Sequence, residues 1–352
     1  MNPAAFPPAR RIGRTEAAEL WHNADDAELQ RLAAEARARF HRPDKATWLT
    51  MAIVNTTNVC VARCDYCAFY VLPNKPGAYA LDADAISARL DALVALGGTL
   101  VGFNGGFHPK MRLIDYARLF QTVRSRFPTL EFFELTVAEF MYSCKVSRLS
   151  YADGAALLRD HGTRWVTGGG AEVLTDSFRM RHSPLKYTVD DYYDAQRAIL
   201  LAGLGSTATM VIGFDETLDE RLDHLERLRD FQDEVGGLLP SFLCWTYKPT
   251  ATELGGDEID ARSYNRWLAI CRLYLDNFRH IRTSVLTRNA TAMEALRWGA
   301  DDFDLPTEDE VTQKAGATVS HDFEALLDAA RALGITPQRR DPFSIPRLTA
   351  PA

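Results

Sequence analysis

The sequence contains no apolar run near the ~20 residues needed to cross a bilayer. It also lacks a basic excess: 40 Lys and Arg stand against 47 Asp and Glu, a formal charge of −7. Surfaces that hold nucleic acid or anionic membrane reward clustered positive charge, so neither partner is expected. Residues 1–14 carry Pro and Arg but no apolar segment of the secretory kind, so no signal is expected and a cytoplasmic setting follows. Low-complexity stretches and internal linkers are missing as well. Cysteine is sparse, with six in 352 residues, which argues against a disulfide framework in a chain of this size. What cysteine there is has a pattern. Cys60, Cys64 and Cys67 fall within eight residues and read as a metal site, whereas Cys144, Cys244 and Cys271 are scattered and read as buried thiols or pocket lining.

Strand-like and helix-like stretches alternate through most of the chain. Apolar residues at helical spacing among charges predict one or two helices over 16–39. Strands are predicted at 50–55, 99–103, 131–135, 164–166, 206–212, 241–245 and 282–286, with a weak eighth at 300–303. Helices are predicted between and after them at 83–96, 113–127, 151–161, 189–201, 218–234, 261–277 and 322–333. So regular an alternation means parallel strands joined by crossover helices. Six to eight such units favour an α/β fold of the TIM-type (β/α) barrel kind, in which the loops after the strands form the active face. The expected organisation is an N-terminal helical extension (1–47), a barrel (48–335) and a proline-containing C-terminal arm (336–352).

The chemistry concentrates just after the first strand, in Asn58-Val-Cys60-Val-Ala-Arg-Cys64-Asp-Tyr66-Cys67-Ala-Phe-Tyr70. Three thiolates at this spacing can wrap one face of an iron–sulfur cubane and ligate three irons, leaving the fourth iron open. Zinc is the competing reading, but zinc wants a fourth Cys or His, and only the more distant His108 is available. The spacing, with Tyr66 before the last cysteine, resembles the signature of the radical S-adenosylmethionine (SAM) superfamily. That resemblance implies a [4Fe–4S] cluster on Cys60, Cys64 and Cys67, with SAM bound at the free iron.

Three later loops fit the same expectation. Asn104-Gly105-Gly106-Phe-His108 follows the second strand, at the place where such enzymes contact the amino group of SAM. Gly168-Gly-Gly-Ala-Glu172 follows the fourth; Glu172 is a candidate for sugar hydroxyls or the cationic end of SAM, and equally a partner for a helix dipole. Thr207-Ala-Thr209-Met210-Val-Ile-Gly213-Phe-Asp215 resembles the element laid against adenine, with an ordinary buried strand as the alternative. Arg179, Arg181, His182 and Lys186 form a basic stretch, suited either to a carboxylate of SAM or substrate or to a solvated helix edge. The expected cofactor contacts are therefore Tyr66, Asn104, Gly105, Gly106, Glu172, Arg179 and Met210, and the candidate catalytic bases are His108, Glu172 and Asp215.

Within the superfamily the chain resembles the futalosine-pathway branch of menaquinone biosynthesis, most of all its cyclic dehypoxanthine futalosine synthases, and the related deazaflavin enzymes. The likeness is carried by Thr57-Asn58-Val59-Cys60, Cys67-Ala68-Phe69-Tyr70, Gly105-Gly106-Phe107-His108-Pro109, Ser183-Pro184-Leu185-Lys186, Gly299-Ala300-Asp301-Asp302-Phe303 and Pro337-Gln338-Arg339-Arg340, among others. It implies hydrogen abstraction from a nucleoside-aryl substrate, carbon–carbon ring closure to a spirocycle, and an external donor of the flavodoxin or ferredoxin type. The chain departs from the branch at Asn104, at Lys248-Pro249-Thr250-Ala251, at Val285-Leu286-Thr287-Arg288-Asn289, at Asp304-Leu305-Pro306 and at Glu308-Asp309-Glu310. Most departures fall in the later units, expected to face substrate. A paralogue acting on another aromatic or nucleoside-like substrate, and a non-catalytic iron–sulfur or zinc protein, are the alternatives.

Overall fold

A computed structural model of the chain describes residues 10–342. Two helices, α1 (Arg14–Asn23) and α2 (Asp26–Ala38), precede β1 (Lys45–Asn55). Then come α3 (Ala83–Ala95), β2 (Leu100–Asn104), α4 (Leu113–Arg126), β3 (Glu131–Thr136), α5 (Val137–Ser147), α6 (Tyr151–Asp160) and β4 (Trp165–Thr167). The second half runs α7 (Asp176–His182), α8 (Val189–Leu201), β5 (Ala208–Ile212), α9 (Leu218–Glu234), β6 (Ser241–Thr246), α10 (Ala261–Tyr274) and β7 (His280–Thr283). It continues through α11 (Val285–Arg288), 3₁₀ turns over Asn289–Trp298, β8 (Asp302–Asp309), α12 (Glu310–Lys314), α13 (Phe323–Ala332) and β9 (Thr336–Arg339).

The strands pair in parallel in the order β4-β3-β2-β1-β8-β7-β6-β5. The two ends of that path meet at a bridge from Trp165 to Gly205, where Val166 N–H donates to the Gly205 carbonyl at 3.0 Å. Eight strands thus form a nearly closed barrel with helices outside, and the β4–β5 seam is its weakest join. Strand alternation sorts the side chains. Along β1, Leu49, Met51 and Ile53 turn into the barrel with Leu100, Phe133 and Trp165, whereas Ala52 and Val54 pack outward with Val101 and Phe103 against helices. Burial on both faces is why β1 reads as a continuous apolar run.

Helix starts are written into the loops. Asp82 accepts from the N–H groups of Asp84 and Ala85, and Thr136, Thr188 and Thr217 form reciprocal capping boxes with Glu139, Asp191 and Glu220. At the other end of α1, Arg266 of α10 donates to the carbonyls of Trp21 (2.8 Å) and Ala24 (3.0 Å), which helix geometry leaves unpaired. Asp26 completes this dock with Arg262 and Arg266.

Three expectations shift. The predicted strand at 282–286 ends at Thr283, because Ser284 caps a helical turn by accepting from Thr287 N–H at 3.3 Å. The weak eighth strand is instead the long β8, whose Asp302, Asp304 and Pro306 break the apolar pattern; Arg282 and Arg340 neutralise those carboxylates inside the fold. The C-terminal arm begins with β9, which pairs with Lys45–Trp48 of β1. Its last residues, 343–352, and residues 1–9 lie outside the described residues.

Candidate functional site

The three clustered cysteines sit in the loop that leaves β1 at the C-terminal end of the barrel. That loop is braced at its base. Asn58 donates through Nδ2 to the Gly77 carbonyl and accepts from Tyr79 N–H, both at 2.8 Å, and Val71 N–H donates to the Asn58 carbonyl at 2.8 Å. Around the sulfurs lies an apolar nest of Ala62, Phe107 and Ala138, with Tyr66, Tyr142 and Tyr187 at its edge. Burial pushes the Cys64 thiol up to about 12, with the Lys186 ammonium pulling the other way. Uptake of a metal here therefore displaces protons from sulfur.

A structural zinc ion takes four ligands, and this loop offers three thiols. Tetrahedral zinc draws its ligand sulfurs to within roughly 4 Å of one another. A separate trio of possible metal ligands, His41, His280 and Asp301, has its ligand atoms within 4.8 Å of one another. Three thiols on one loop with a dry surround fit a cubane with one open iron better than four-coordinate zinc. The His41–His280–Asp301 trio lies at the opposite end of the barrel. Its carboxylate also accepts from Ile281 N–H at 2.9 Å and pairs with the buried Arg272 guanidinium, which ties α10 to β7 and β8.

Gly105 and Gly106 press on the back of the cysteine loop. A Cβ on Gly106 would stand 2.3 Å from the Val59 carbonyl oxygen and 2.6 Å from Cys60 Cβ. Their smallness is required by the cysteine loop itself, which positions Cys60. Gly168 performs a comparable service at the seam, where a Cβ would meet the Thr207 carbonyl at 2.0 Å.

Glu172 has φ +43, a conformation that costs a non-glycine residue free energy and persists only where the surroundings hold it. Here Val211 N–H donates to its carbonyl at 3.0 Å, and Lys186 Nζ pairs with its carboxylate at 2.9 Å. Lys186 also lies 3.2 Å from the Tyr66 hydroxyl, so Glu172, Lys186 and Tyr66 are one group beside the cysteines. Arg179 is buried just behind. It donates to the Ala171 carbonyl at 3.1 Å and lies 4.1 Å from the Tyr187 ring centre, with Nε and Nη1 unpartnered.

Below this group a cavity of about 220 Å³ opens into the barrel. Asn104, Thr136, Thr167, Thr209 and Glu172 give it a polar upper wall, Met51, Phe133, Trp245 and Leu286 an apolar middle, and Arg282 and Asp304 a charged floor. Most of these were invisible as site residues in the sequence; strand alternation from Asn104 would have found Gly102 and Leu100, but not which loop residues turn inward.

The remaining expected residues separate. Met210 is fully buried between sheet and helices, so the outward phase of β5 withdraws its side chain from the cavity, and its neighbours Thr209 and Val211 line it instead. His108 lies outside the lining; its Nδ1 accepts from the N–H groups of Lys110 (3.2 Å) and Met111 (3.1 Å), which occupies the nitrogen a base would use. Asp215 is half exposed and engaged, 2.7 Å from His182 Nε2 and 3.2 Å from Arg181 Nη2. Since His182 Nδ1 also meets Asp65 at 3.0 Å, this pair of carboxylates clamps α7 to the cysteine loop. Of the aromatic residues in and just after the sixth strand, Trp245 lines the cavity, Phe242 packs outward, and the Tyr247 ring lies tilted against Phe214 with centres 4.5 Å apart.

Comparison with known proteins adds an independent finding. Residues 54–228 match the radical SAM superfamily, and residues 236–347 match the CofH/MqnC C-terminal region. The chain is 31% identical over 333 residues to a cyclic dehypoxanthine futalosine synthase of Halalkalibacterium halodurans, covering 94% of this chain and 90% of that one. It is 34% identical over 340 residues to the protein of the same description from Streptomyces coelicolor, covering 94% and 84%. In fold it is similar to the crystal structure of methylornithine synthase (PylB), with a TM-score of 0.72 at 16% identity over 95% of this chain and 96% of that one.

Proposed function

Because the chain belongs to the radical SAM superfamily and is an enzyme of that kind, we propose that it cyclises dehypoxanthine futalosine to its spirocyclic product in menaquinone biosynthesis. The reading rests on one observation above others: three free thiols on one loop, with Tyr66 of that loop joined through Lys186 to Glu172, which lines a cavity of about 220 Å³. Cys60, Cys64 and Cys67 would hold a [4Fe–4S] cluster. When bound, the cluster and SAM supply the one-electron cleavage that generates a hydrogen-abstracting radical.

The protein's own part is to bind, orient and exclude water. The nest of Ala62, Phe107 and Ala138 keeps solvent from the sulfurs. Tyr66, Lys186 and Glu172 offer hydrogen bonds of both senses beside the cluster loop, suited to the amino, carboxylate and ribose groups of SAM. Arg179 backs that wall as a fixed positive charge. Trp245 and Phe133 give an aryl group flat apolar surface. Ring closure also releases a proton; of His108, Glu172 and Asp215, only Glu172 lines the cavity, which supports it as the acceptor. An external donor of the flavodoxin or ferredoxin type and a cytoplasmic setting belong to the same proposal. No helix among the described residues is long and apolar enough to cross a membrane.

The test is direct. Anaerobically reconstituted protein, given SAM, a low-potential reductant and dehypoxanthine futalosine, should yield 5′-deoxyadenosine and the spirocycle in comparable amounts. A second reading, a paralogue with another nucleoside-like substrate, draws on the β7–β8 wall, where Arg282, Val285, Asp304 and Pro306 line the cavity in segments that depart from the branch pattern. SAM cleavage stimulated by a different compound, without spirocycle from dehypoxanthine futalosine, would establish it.

A further inference from the structure

TIM-type barrels usually fill their interior with layers of branched apolar side chains. The lower part of this barrel is filled by charge. Arg282 Nε donates to Asp302 at 2.8 Å, and its Nη2 pairs with Asp304. Arg340, which follows β9, enters from below and meets Asp302 at 2.6 Å and Asp304 at 3.2 Å. All four side chains are close to nine-tenths buried or more. Burying ion pairs in place of apolar packing is at best neutral for stability, so their retention calls for another reason.

Two facts supply it. Arg282 and Asp304 line the upper cavity, and Arg282 also lines a second cavity of about 250 Å³ beneath, so Arg282 is the charged member of the partition it shares with Leu100, Phe133 and Ser241. Its guanidinium donates from Nε to Asp302 and forms an ion pair through Nη2 with Asp304, although Nη2 itself has no hydrogen-bond partner, and no hydrogen bond from Nη1 is found among the described residues. A planar fork held at two corners presents the third donor in a fixed direction, which a flexible ammonium cannot do. The network also carries two positive and two negative charges. An arriving carboxylate would bring an uncompensated charge into a buried site, whereas a carbonyl or hydroxyl oxygen would meet the donor without that penalty.

We infer that Arg282, gripped by Asp302 and Asp304, positions the substrate by donating from Nη1 to a neutral oxygen, a carbonyl or hydroxyl, at the end remote from the cysteine loop. Arg282 is thus a specificity-determining residue, and the cavity floor sets which nucleoside-aryl compound is held for abstraction. This rests on the cavity being the substrate site of the function proposed above.

The experiment compares wild type with Arg282→Lys and Asp304→Asn, all reconstituted, with dehypoxanthine futalosine as the probe. Lysine keeps the charge but cannot satisfy both carboxylates and a substrate oxygen together. Iron content and SAM affinity should match wild type in both variants, which shows that they fold. KM for the nucleoside should rise on the order of 10-fold or more, the usual weight of a hydrogen bond from a charged donor. Spirocycle formed per 5′-deoxyadenosine should fall by a similar factor, since a loosely held substrate no longer captures the radical. A purely structural plug would not move that ratio. If Arg282→Lys keeps both the wild-type KM and the wild-type ratio, the inference is overturned while the proposed function stands. If wild type makes no spirocycle, the proposed function fails and this inference falls with it.

Discussion

Replacing Gly106 with alanine is the sharpest perturbation the fold offers, because it adds one methyl group and leaves every proposed ligand residue in the sequence unchanged. The new Cβ would sit 2.3 Å from the Val59 carbonyl oxygen and 2.6 Å from Cys60 Cβ. Ordinary contact begins near 3.4 Å, so the cysteine loop must retreat by about 1 Å, and backbone cannot rotate aside as a flexible side chain would. Overpacking of this order costs about 1–3 kcal/mol in a well-packed region. The consequence for a metal centre is larger, since ligand positions are tolerated only within about 0.2 Å. Gly106→Ala should therefore remain folded with a lowered melting temperature, yet take up well under half the wild-type iron on anaerobic reconstitution. Gly13→Ala, whose Cβ meets nothing within 4 Å, is the matched control and should load fully. Visible absorbance and iron assay read the outcome. Full iron loading in Gly106→Ala would refute the claim that this glycine sets the position of Cys60.

Other consequences are as specific. Cys64→Ala should lose cluster absorbance and all SAM cleavage, whereas Cys144→Ala, fully buried in the α5 packing layer, should keep its iron; iron loss from the latter would upset the assignment of the six cysteines. Lys186→Met leaves the largely buried Glu172 carboxylate without its partner and should cost about 3 kcal/mol in urea unfolding, with Glu172→Gln recovering part of it; a loss below about 1 kcal/mol would mean the pair is solvated. His224 is held neutral in the fold, its Nδ1 accepting from Leu174 N–H at 2.9 Å, and burial pushes it down to about 3 from 6.5. Its unfolded form takes up a proton that its folded form refuses, so its contribution is whole above pH 6.5 and is lost as pH falls toward 3. That amounts to at most about 2 kcal/mol by pH 5, from 1.5 pH units at about 1.36 kcal/mol each. His224→Asn should flatten the decline of stability between pH 7 and pH 5, and an unchanged slope would count against it.

Much of this molecule was legible before its coordinates. Short apolar runs and helical spacing located seven strands and the main helices, because most of those strands are buried on both faces and the helices are apolar on one. The eighth strand hid behind Asp302, Asp304 and Pro306, which only a partner such as Arg340, some 36 residues later, makes acceptable inside a barrel. The cysteine loop was readable because metal ligation needs fixed spacing along the chain. The glycines stand out in the sequence as a loop suited to a ligand, and at Gly106 and Gly168 they also admit backbone against backbone. A motif gives the strand but not its phase: the Met210 side chain faces the core while Thr209 and Val211 line the cavity, since a one-residue step turns a side chain from one to the other. Lys186 was readable only as part of a basic stretch and Arg282 only as a strand residue, since their carboxylate partners, Glu172 and the Asp302–Asp304 pair of β8, come from distant parts of the sequence.

The central claim is decided by Mössbauer spectroscopy of the iron-57-reconstituted protein, with and without SAM. One iron of the [4Fe–4S] cluster should stand apart from the other three and change its parameters when SAM is added. A site filled by zinc, or a cluster whose irons are indifferent to SAM, would contradict the account.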